Sequence, residues 1–231
     1  MNKLAERLRA ARRRDRRLGF GPADAPQAAS RGLLIAARGT DPAGADLALL
    51  PDAAAVGDSA ALAGVELNPL TSEGAATAEE AGAAFVVYDP DQAEAEALLR
   101  VRLDYVLRLP ARDIEDGELR AVASLRPTLV IGPAVSDPMP VAALIALRRV
   151  GLGVGAPLAV SIPATAGAGL LEVLRDSGVV VLVLESPSAE EVAALRARIA
   201  ELPVRSRRRE DDSPVVTGVR PEAIEDDFDD D

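Results

Sequence analysis

The chain has 231 residues, of which 48% are hydrophobic and only 2% aromatic, and its formal net charge is −11. It contains no Cys and no His, and its single lysine is Lys3. This composition excludes disulfide frameworks, Cys or His metal sites, thiol and Ser-His catalysis, and Schiff-base chemistry within the folded region. No apolar stretch approaches the roughly 20 residues that span a bilayer, and the N-terminus lacks a secretory signal, so we expect a cytoplasmic protein.

Charge is unevenly distributed along the chain. Residues 1–20 hold eight basic and two acidic side chains, a balance of +6, whereas residues 205–231 hold five basic and ten acidic side chains, a balance of −5. The region between them carries −12. Because phosphate contacts dominate nucleic-acid affinity, we do not expect this acidic core to bind nucleic acid.

The first segment, residues 2–18, is predicted to form a basic amphipathic helix. Leu4, Leu8, Ala11 and Leu18 fall near one face, and arginines crowd the others. Such a helix can bind anionic membranes or nucleic acid, but its narrow apolar face favours packing across the bottom of the following domain. We assign residues 1–20 to this helix and residues 21–30 to a Gly/Pro/Ala linker.

Short apolar runs alternate with helix-like stretches from residue 31 to residue 204, which we assign to one domain. Eight runs are predicted to be strands: Leu33–Ala37, Leu47–Leu50, Val65–Leu70, Phe85–Tyr88, Tyr105–Leu109, Thr128–Ile131, Leu158–Ile162 and Val179–Leu184. Alternation of strands and helices predicts a parallel α/β sheet, and eight strands are the number that closes a barrel. The order of elements resembles that of (β/α)8 TIM barrels.

The first connection is too short for this pattern, since only residues 39–46 separate the first two strands and a parallel crossover needs about a dozen. We therefore expect a barrel with a reduced first helix. The alternative is an open doubly wound sheet in which residues 47–50 form an antiparallel edge strand. Later connections are predicted to be helices: Ser72–Gly82, Pro90–Leu99, Asp113–Leu125, Pro140–Val150, Ala166–Asp176 and Ser188–Leu202.

Local motifs refine the helix ends. Thr77 with Glu80, and Ser188 with Glu191, have the spacing of a capping box. Residues 151–156, GLGVGA, match a dinucleotide-binding fingerprint, but a predicted helix precedes them and a strand follows, the reverse of the required order. We therefore predict a turn beginning at Gly151.

Chemistry in a barrel of this kind lies in the loops after the C-terminal strand ends. The candidate ligand-binding residues there are Arg38, Asn68, Arg108, Thr165 and Gly167. Thr165 and Gly167 follow the seventh strand, where barrels often bind phosphate, although a plain turn explains them equally.

Three carboxylates near strand ends, Glu66, Asp89 and Glu185, are candidate Mg²⁺ ligands. The structural alternatives are an ion pair of Glu66 with Arg38 or Arg108, and a helix-capping role for Asp89. If the protein is an enzyme, we expect Arg38, Glu66, Asp89, Arg108 and Glu185 to converge on one pocket.

Residues 205–231 are predicted to form an acidic disordered tail, either a solvated end or a short linear motif around Ile224 and Phe228. The tail and the basic helix are expected to attract each other, and the charged termini offer a place for a partner protein. Two functions follow from these observations. One is a non-catalytic barrel that acts as a binding or scaffold module; the other is a Mg²⁺-dependent lyase or isomerase acting on a small carboxylated or phosphorylated metabolite.

Overall fold

The computed structural model describes residues 3–14, 32–39, 44–100, 102–110 and 112–203. The predictions for the linker and for the acidic tail concern residues outside this part of the chain. Among the described residues, no helix is both long and apolar enough to cross a membrane.

Eight strands form a closed parallel barrel in which each strand pairs with the next and the last pairs with the first. The strands are β1 (Leu34–Arg38), β2 (Leu47–Leu50), β3 (Leu62–Leu67), β4 (Phe85–Tyr88), β5 (Asp104–Arg108), β6 (Leu129–Ile131), β7 (Leu158–Ser161) and β8 (Val179–Glu185). The predicted barrel is thus confirmed. The open sheet is excluded because β2 pairs in parallel with both β1 and β3.

The barrel interior is filled by layers of side chains from alternate strands, because successive residues of a strand point to opposite sides. One layer is bulky and is built around Phe85, which is 1% exposed. The next layer toward the C-terminal end contains small residues, among them Gly64. A Cβ on Gly64 would lie 2.1 Å from Phe85 Cε2, so the missing side chain is what leaves room for the ring.

The N-terminal end of the barrel is closed by α1 (Lys3–Arg14). Leu4, Leu8 and Ala11 are buried and join the apolar cluster of the barrel interior. Asp104, the first residue of β5, is also buried, and its Oδ2 accepts hydrogen bonds from the backbone N–H groups of Leu4 (3.0 Å) and Ala5 (3.4 Å). A carboxylate thus satisfies the free N–H groups at the start of the helix that covers this end.

In the described part of the chain, five further α-helices lie among the connections and pack over the outward-facing strand residues in a second apolar cluster. They are α2 (Ser72–Glu80), α3 (Asp116–Ser124), α4 (Val141–Val154), α5 (Ala168–Asp176) and α6 (Ala189–Glu201). The predicted capping box at the start of α6 is confirmed, since Ser188 Oγ accepts from Glu191 N–H and the Glu191 carboxylate accepts from Ser188 N–H.

Three local predictions are wrong. Strand β3 begins and ends three residues earlier than predicted, because Pro69 has no N–H for the sheet ladder. Residues 90–99 form two 3₁₀ helices, Pro90–Gln92 and Ala95–Leu99, separated where Ala93 bridges to Leu70. Thr77 lies inside α2, whose cap is Thr71.

Gly151 does not end α4, as the sequence had indicated. The helix continues to Val154 and ends at Gly155, whose φ of +66° suits glycine. The glycines inside α4 have a packing reason, because a Cβ on Gly153 would lie 2.8 Å from Leu119 Cβ on α3. In the first connection, the described residues 39 and 44–46 contain no helix.

Candidate functional site

Four charged side chains meet at the C-terminal mouth of the barrel, and we call them the mouth network: Arg38, Glu66, Arg108 and Glu185. They come from β1, β3, β5 and β8, which the barrel brings together although the residues are up to 147 positions apart. Alternation along the strands points them inward, above the apolar layers. The sequence predicted five residues in one pocket, and the structure joins these four.

Glu66 is the centre of the mouth network. Its Oε2 accepts from Arg38 Nε at 2.9 Å, and its Oε1 accepts from an Arg108 guanidinium nitrogen. The Glu66 side chain is only 15% exposed, so its charge is largely removed from water and needs these partners. The structural ion pairs that the sequence offered as an alternative are therefore present with both arginines.

Glu185 is the outer member of the mouth network. Its carboxylate accepts from Arg38 Nη1 at 3.3 and 3.4 Å, and its side chain is 56% exposed. Burial lowers the pKa of Arg38, but its hydrogen bonds and charge attraction to Glu66, with a smaller contribution from Glu185, raise that pKa above its ordinary value. Arg38 therefore remains a cation, held by one buried and one exposed carboxylate.

The two tyrosines near the strand ends are not poised as acids or bases. Burial, with a smaller effect of Tyr105, raises the pKa of Tyr88 to about 12. The Tyr105 hydroxyl donates to the Ala97 carbonyl at 2.6 Å, and burial raises its pKa as well. Both phenols stay protonated at neutral pH, and both side chains belong to the outer apolar cluster and not to the barrel interior.

Asp89 and Asn68 stand apart from the mouth network in their contacts. Asp89 Oδ1 accepts from Asp91 N–H at 3.2 Å and caps the 3₁₀ helix that begins at Pro90. Asn68 Oδ1 accepts from Asp89 N–H at 3.2 Å. The described residues contain no group of three carboxylates placed to hold a metal ion, so Glu66, Asp89 and Glu185 are not assembled into a Mg²⁺ site here.

Thr165 and Gly167 lie in the loop between β7 and α5, at the helix N-terminus where a phosphate would bind. The Gly167 N–H donates to Asp137 Oδ2 at 2.7 Å, so a carboxylate of the chain lies beside the residue that precedes α5. Arg198 of α6 fixes the loop by donating to the carbonyls of Ala164 and Ala166. At the N-terminus of α6, the capping box satisfies the N–H groups of Ser188 and Glu191. The hydrogen bond that the Glu191 carboxylate accepts from Ser188 N–H lowers the pKa of Glu191.

Sequence reasoning missed three residues that organise the two ends of the barrel: Asp104, Asp137 and Arg198. Asp137 acts on a residue 30 positions away, and Arg198 on residues more than 30 away, so no local pattern indicated either pairing. Asp104 directly precedes a predicted strand. An acidic residue directly before an apolar strand was the signal that could have indicated a buried partner, which the structure shows to be the N-terminal end of α1.

The described part of the chain also has a groove of about 460 Å³ at the opposite end, beside α1. Its polar lining includes Lys3, Glu6, Arg7 and Asp46. Asp46 pairs with Arg7 at 2.8 Å and with Arg196 at 3.1 Å, so the charges facing this groove are partly neutralised.

The fold is similar to those of solved enzymes at low sequence identity. Tryptophan synthase from M. tuberculosis is 14% identical over 85% of this chain and 96% of its own, with a TM-score of 0.58. The 3-keto-L-gulonate-6-phosphate decarboxylase from Vibrio cholerae is 11% identical over 72% and 97%, with a TM-score of 0.57. A putative lyase/mutase from Burkholderia cenocepacia is 17% identical over 84% and 85%, with a TM-score of 0.52.

The sequence matches no family model and no curated protein. At these identities, a structural likeness extends to architecture and not to activity. What this chain shares with the three enzymes is the (β/α)8 barrel fold.

Proposed function

We propose that this protein is a non-catalytic barrel that serves as a binding or scaffold module. The observation that carries the proposal is that the charges at the usual catalytic end are committed to one another. Glu66 holds both arginines of the mouth network, and Glu185 holds Arg38 from outside. A site that must stabilise changing charge needs groups directed at substrate, and here they are directed at each other.

The two helix N-termini at this end support the same proposal. Asp137 occupies the start of α5, and the Ser188–Glu191 capping box occupies the start of α6. In barrel enzymes this region commonly holds a substrate phosphate through its backbone N–H groups. A phosphate that bound at α5 would meet the like charge of the Asp137 carboxylate.

A second function, a lyase or isomerase acting on a small carboxylated or phosphorylated molecule, is favoured by one observation. Arg38 and Arg108 are gathered around a single carboxylate, and the side chain of Arg38 is 36% exposed. An external anion that displaced Glu185 would meet Arg38 with a bidentate donor geometry. The decarboxylase named above acts on a phosphorylated substrate, which fits this class of ligand. In the Mg²⁺-dependent form of this function, Glu66, Asp89 and Glu185 would have to move to share an ion.

Thermal denaturation separates the two functions. The full chain is heated with Mg²⁺, Mn²⁺, or panels of phosphorylated and carboxylated metabolites, because a ligand of the folded state raises its stability. A ligand at 100 times its Kd adds about 2.7 kcal/mol, which corresponds to roughly 5–10 °C in Tm for a domain of this size. A module whose mouth charges are committed to one another predicts no such rise. A rise that is lost in Arg38→Gln and retained in the exposed control Arg120→Gln would contradict that commitment by showing that the mouth network binds the ligand, and turnover of that ligand would then overturn the non-catalytic proposal.

A further inference from the structure

We propose that the exposed apolar face of α4 is a docking surface for the acidic C-terminal segment of the same chain, residues 221–231. The proposal joins a helix face that nothing in the described structure covers to a segment whose sequence complements it in charge and apolar spacing. It does not depend on the function proposed above.

The face consists of four residues of α4, which we call the α4 stripe: Val141, Ile145, Arg148 and Leu152. Its three aliphatic members are 71%, 63% and 87% exposed. At 100° per residue, the four positions fall within roughly 60° of one another around the helix. Isolated exposed aliphatic residues are common on proteins. Here, however, three of the six large exposed hydrophobic residues in the described part of the chain lie on one helix face.

The positive charge of α4 favours an acidic binding partner for the stripe. Helix α4 contains two arginines and no acidic residue. Arg149 pairs with Asp113 and Asp116, whereas Arg148 reaches only the Ser177 hydroxyl, at 3.5 Å, among the described residues. Two copies of α4 meeting face to face would bring like charges together. An acidic segment with apolar anchors suits the stripe better than a second copy does.

Residues 221–231 have both properties. Seven of these eleven residues are acidic, none is basic, and the large apolar residues Ile224 and Phe228 are four positions apart. Four-residue spacing places two anchors on one face of a helix, the pattern by which amphipathic helices enter apolar grooves. Pro221 suits the first position of a helix, and Glu222 suits its first turn.

The described chain ends beside this surface. The carbonyl of Pro203, the last described residue, accepts a hydrogen bond from Arg175 of α5. Ser177, two residues after Arg175 in the sequence, accepts a hydrogen bond from Arg148 of the α4 stripe. The 21 residues from Pro203 to Ile224 can span at most roughly 70 Å when fully extended, well beyond the roughly 21 Å length of the 14-residue α4. The segment can therefore reach every position of the stripe.

The basic helix α1 offers charge to the same segment but less apolar surface. Its residues Leu4, Leu8 and Ala11 are 0–2% exposed because they close the barrel, and the groove beside it has alanines and the partly buried Leu62 as its apolar lining. Ile224 and Phe228 would therefore bury less apolar surface on α1 than on the α4 stripe. Burial of Ile224 and Phe228 thus favours binding of the segment to α4, and the competing arrangement is binding to α1 by charge attraction.

Spin labels test the proposal in the full chain, which has no native cysteine to interfere. One label is placed at Ala223→Cys, beside the anchor Ile224. The second is placed at Ala142→Cys, exposed next to the α4 stripe, or at Ala10→Cys, exposed on α1. We expect strong dipolar broadening for the α4 pair and weak broadening for the α1 pair. The reverse result, or weak broadening in both pairs, would overturn the proposal.

Two controls make the result specific. Adding Ile224→Ser and Phe228→Ser to the α4 pair should abolish the broadening, whereas adding Val215→Ser and Val216→Ser, which remove apolar residues elsewhere in the same tail, should leave it unchanged. Mixing with excess unlabelled chain distinguishes contact within one chain from contact between chains. A signal that disappears on mixing would show that the segment of a second copy binds, contradicting docking within the chain.

Discussion

The two ends of this barrel are closed by different chemistry. At the N-terminal end, a helix inserts apolar side chains and one buried carboxylate, Asp104, satisfies its first N–H groups. At the C-terminal end, closure depends on the mouth network, whose outermost carboxylate is more than half exposed. Apolar burial is not screened by salt, whereas exposed ion pairs are weak and salt-sensitive. The comparison indicates that the N-terminal end is held by burial, whereas at the C-terminal end the outer Arg38–Glu185 pair can be broken at little cost.

The largest effect is expected at the packed end, from Gly64→Ala. The new Cβ would lie 2.1 Å from the Phe85 ring, which itself has no room to move inside the closed barrel. We expect a loss of about 3 kcal/mol or more in the free energy of unfolding, measured by chemical denaturation. The matched control is Gly117→Ala in α3, where nothing lies within 4 Å of the new Cβ and a gain of about 0.5–1 kcal/mol is expected. Equal effects at the two glycines would show that the interior is not tightly packed.

The next largest effect is expected from Asp104→Ala. The change leaves the buried Leu4 N–H without its acceptor and removes the 2.9 Å hydrogen bond from the Thr128 hydroxyl. Losing a buried acceptor of this kind costs about 1–3 kcal/mol. Hydrogen exchange should show faster exchange in α1 than in the strands. If the variant were destabilised but the amides of α1 did not exchange faster than those of the strands, the role assigned to the Asp104 carboxylate would be wrong.

At the open end, Glu66→Gln and Glu185→Gln should differ in stability. Glu66 is mostly buried and binds two arginines, so its replacement is expected to cost about 1–2 kcal/mol, whereas the exposed Glu185 should cost under about 0.5 kcal/mol. Denaturation of the two variants, with the exposed Glu80→Gln as control, measures this difference. If Glu185→Gln lowered the free energy of unfolding as much as Glu66→Gln does, the division into an inner and an outer carboxylate would be wrong.

Glu185→Gln should also gain anion binding, because it leaves one face of the Arg38 guanidinium without a carboxylate. Calorimetric titration with inorganic phosphate should detect weak binding to this variant and none to the native chain or to Glu80→Gln. Binding to the native chain of equal strength would mean that the mouth network does not block the arginines.

The smallest effect concerns the outer surface of α1, where Arg9 and Arg12 are exposed. Deleting Glu222–Asp231 removes seven negative charges, whose repulsion of anions does not require the segment to touch α1, and should increase retention on heparin or anionic vesicles at low salt. The double variant Ile224→Ser and Phe228→Ser keeps these charges and should elute with the native chain. Unchanged retention after the deletion would mean that the tail does not shield the arginines.

Most of the barrel was predictable because its signal is local. Strands β2 and β4 coincide with their predicted bounds, since each is a short apolar run between turns. The mouth network was partly predictable as well, because Arg38, Glu66, Arg108 and Glu185 are charges at or near the ends of apolar strands. What failed depends on contacts between distant segments. Gly151 and Gly153 resemble a helix end, and the structure instead shows them packed closely inside α4, Gly151 against Leu158 of β7 and Gly153 against Leu119 of α3.

The role of α1 has a consequence for the order of events during synthesis. Lys3–Arg14 leaves the ribosome before every strand of the barrel, yet the surface it covers includes residues of β8, which ends at Glu185. At 5–20 residues per second, roughly 10–35 s pass before that surface is complete. Throughout this interval Leu4, Leu8 and Ala11 have no native partner, and only the surrounding arginines keep the nascent segment hydrated. The docking of α1 therefore cannot be completed until β8 has been made, and a chaperone that recognises short apolar segments flanked by basic residues would find its binding site open during this time.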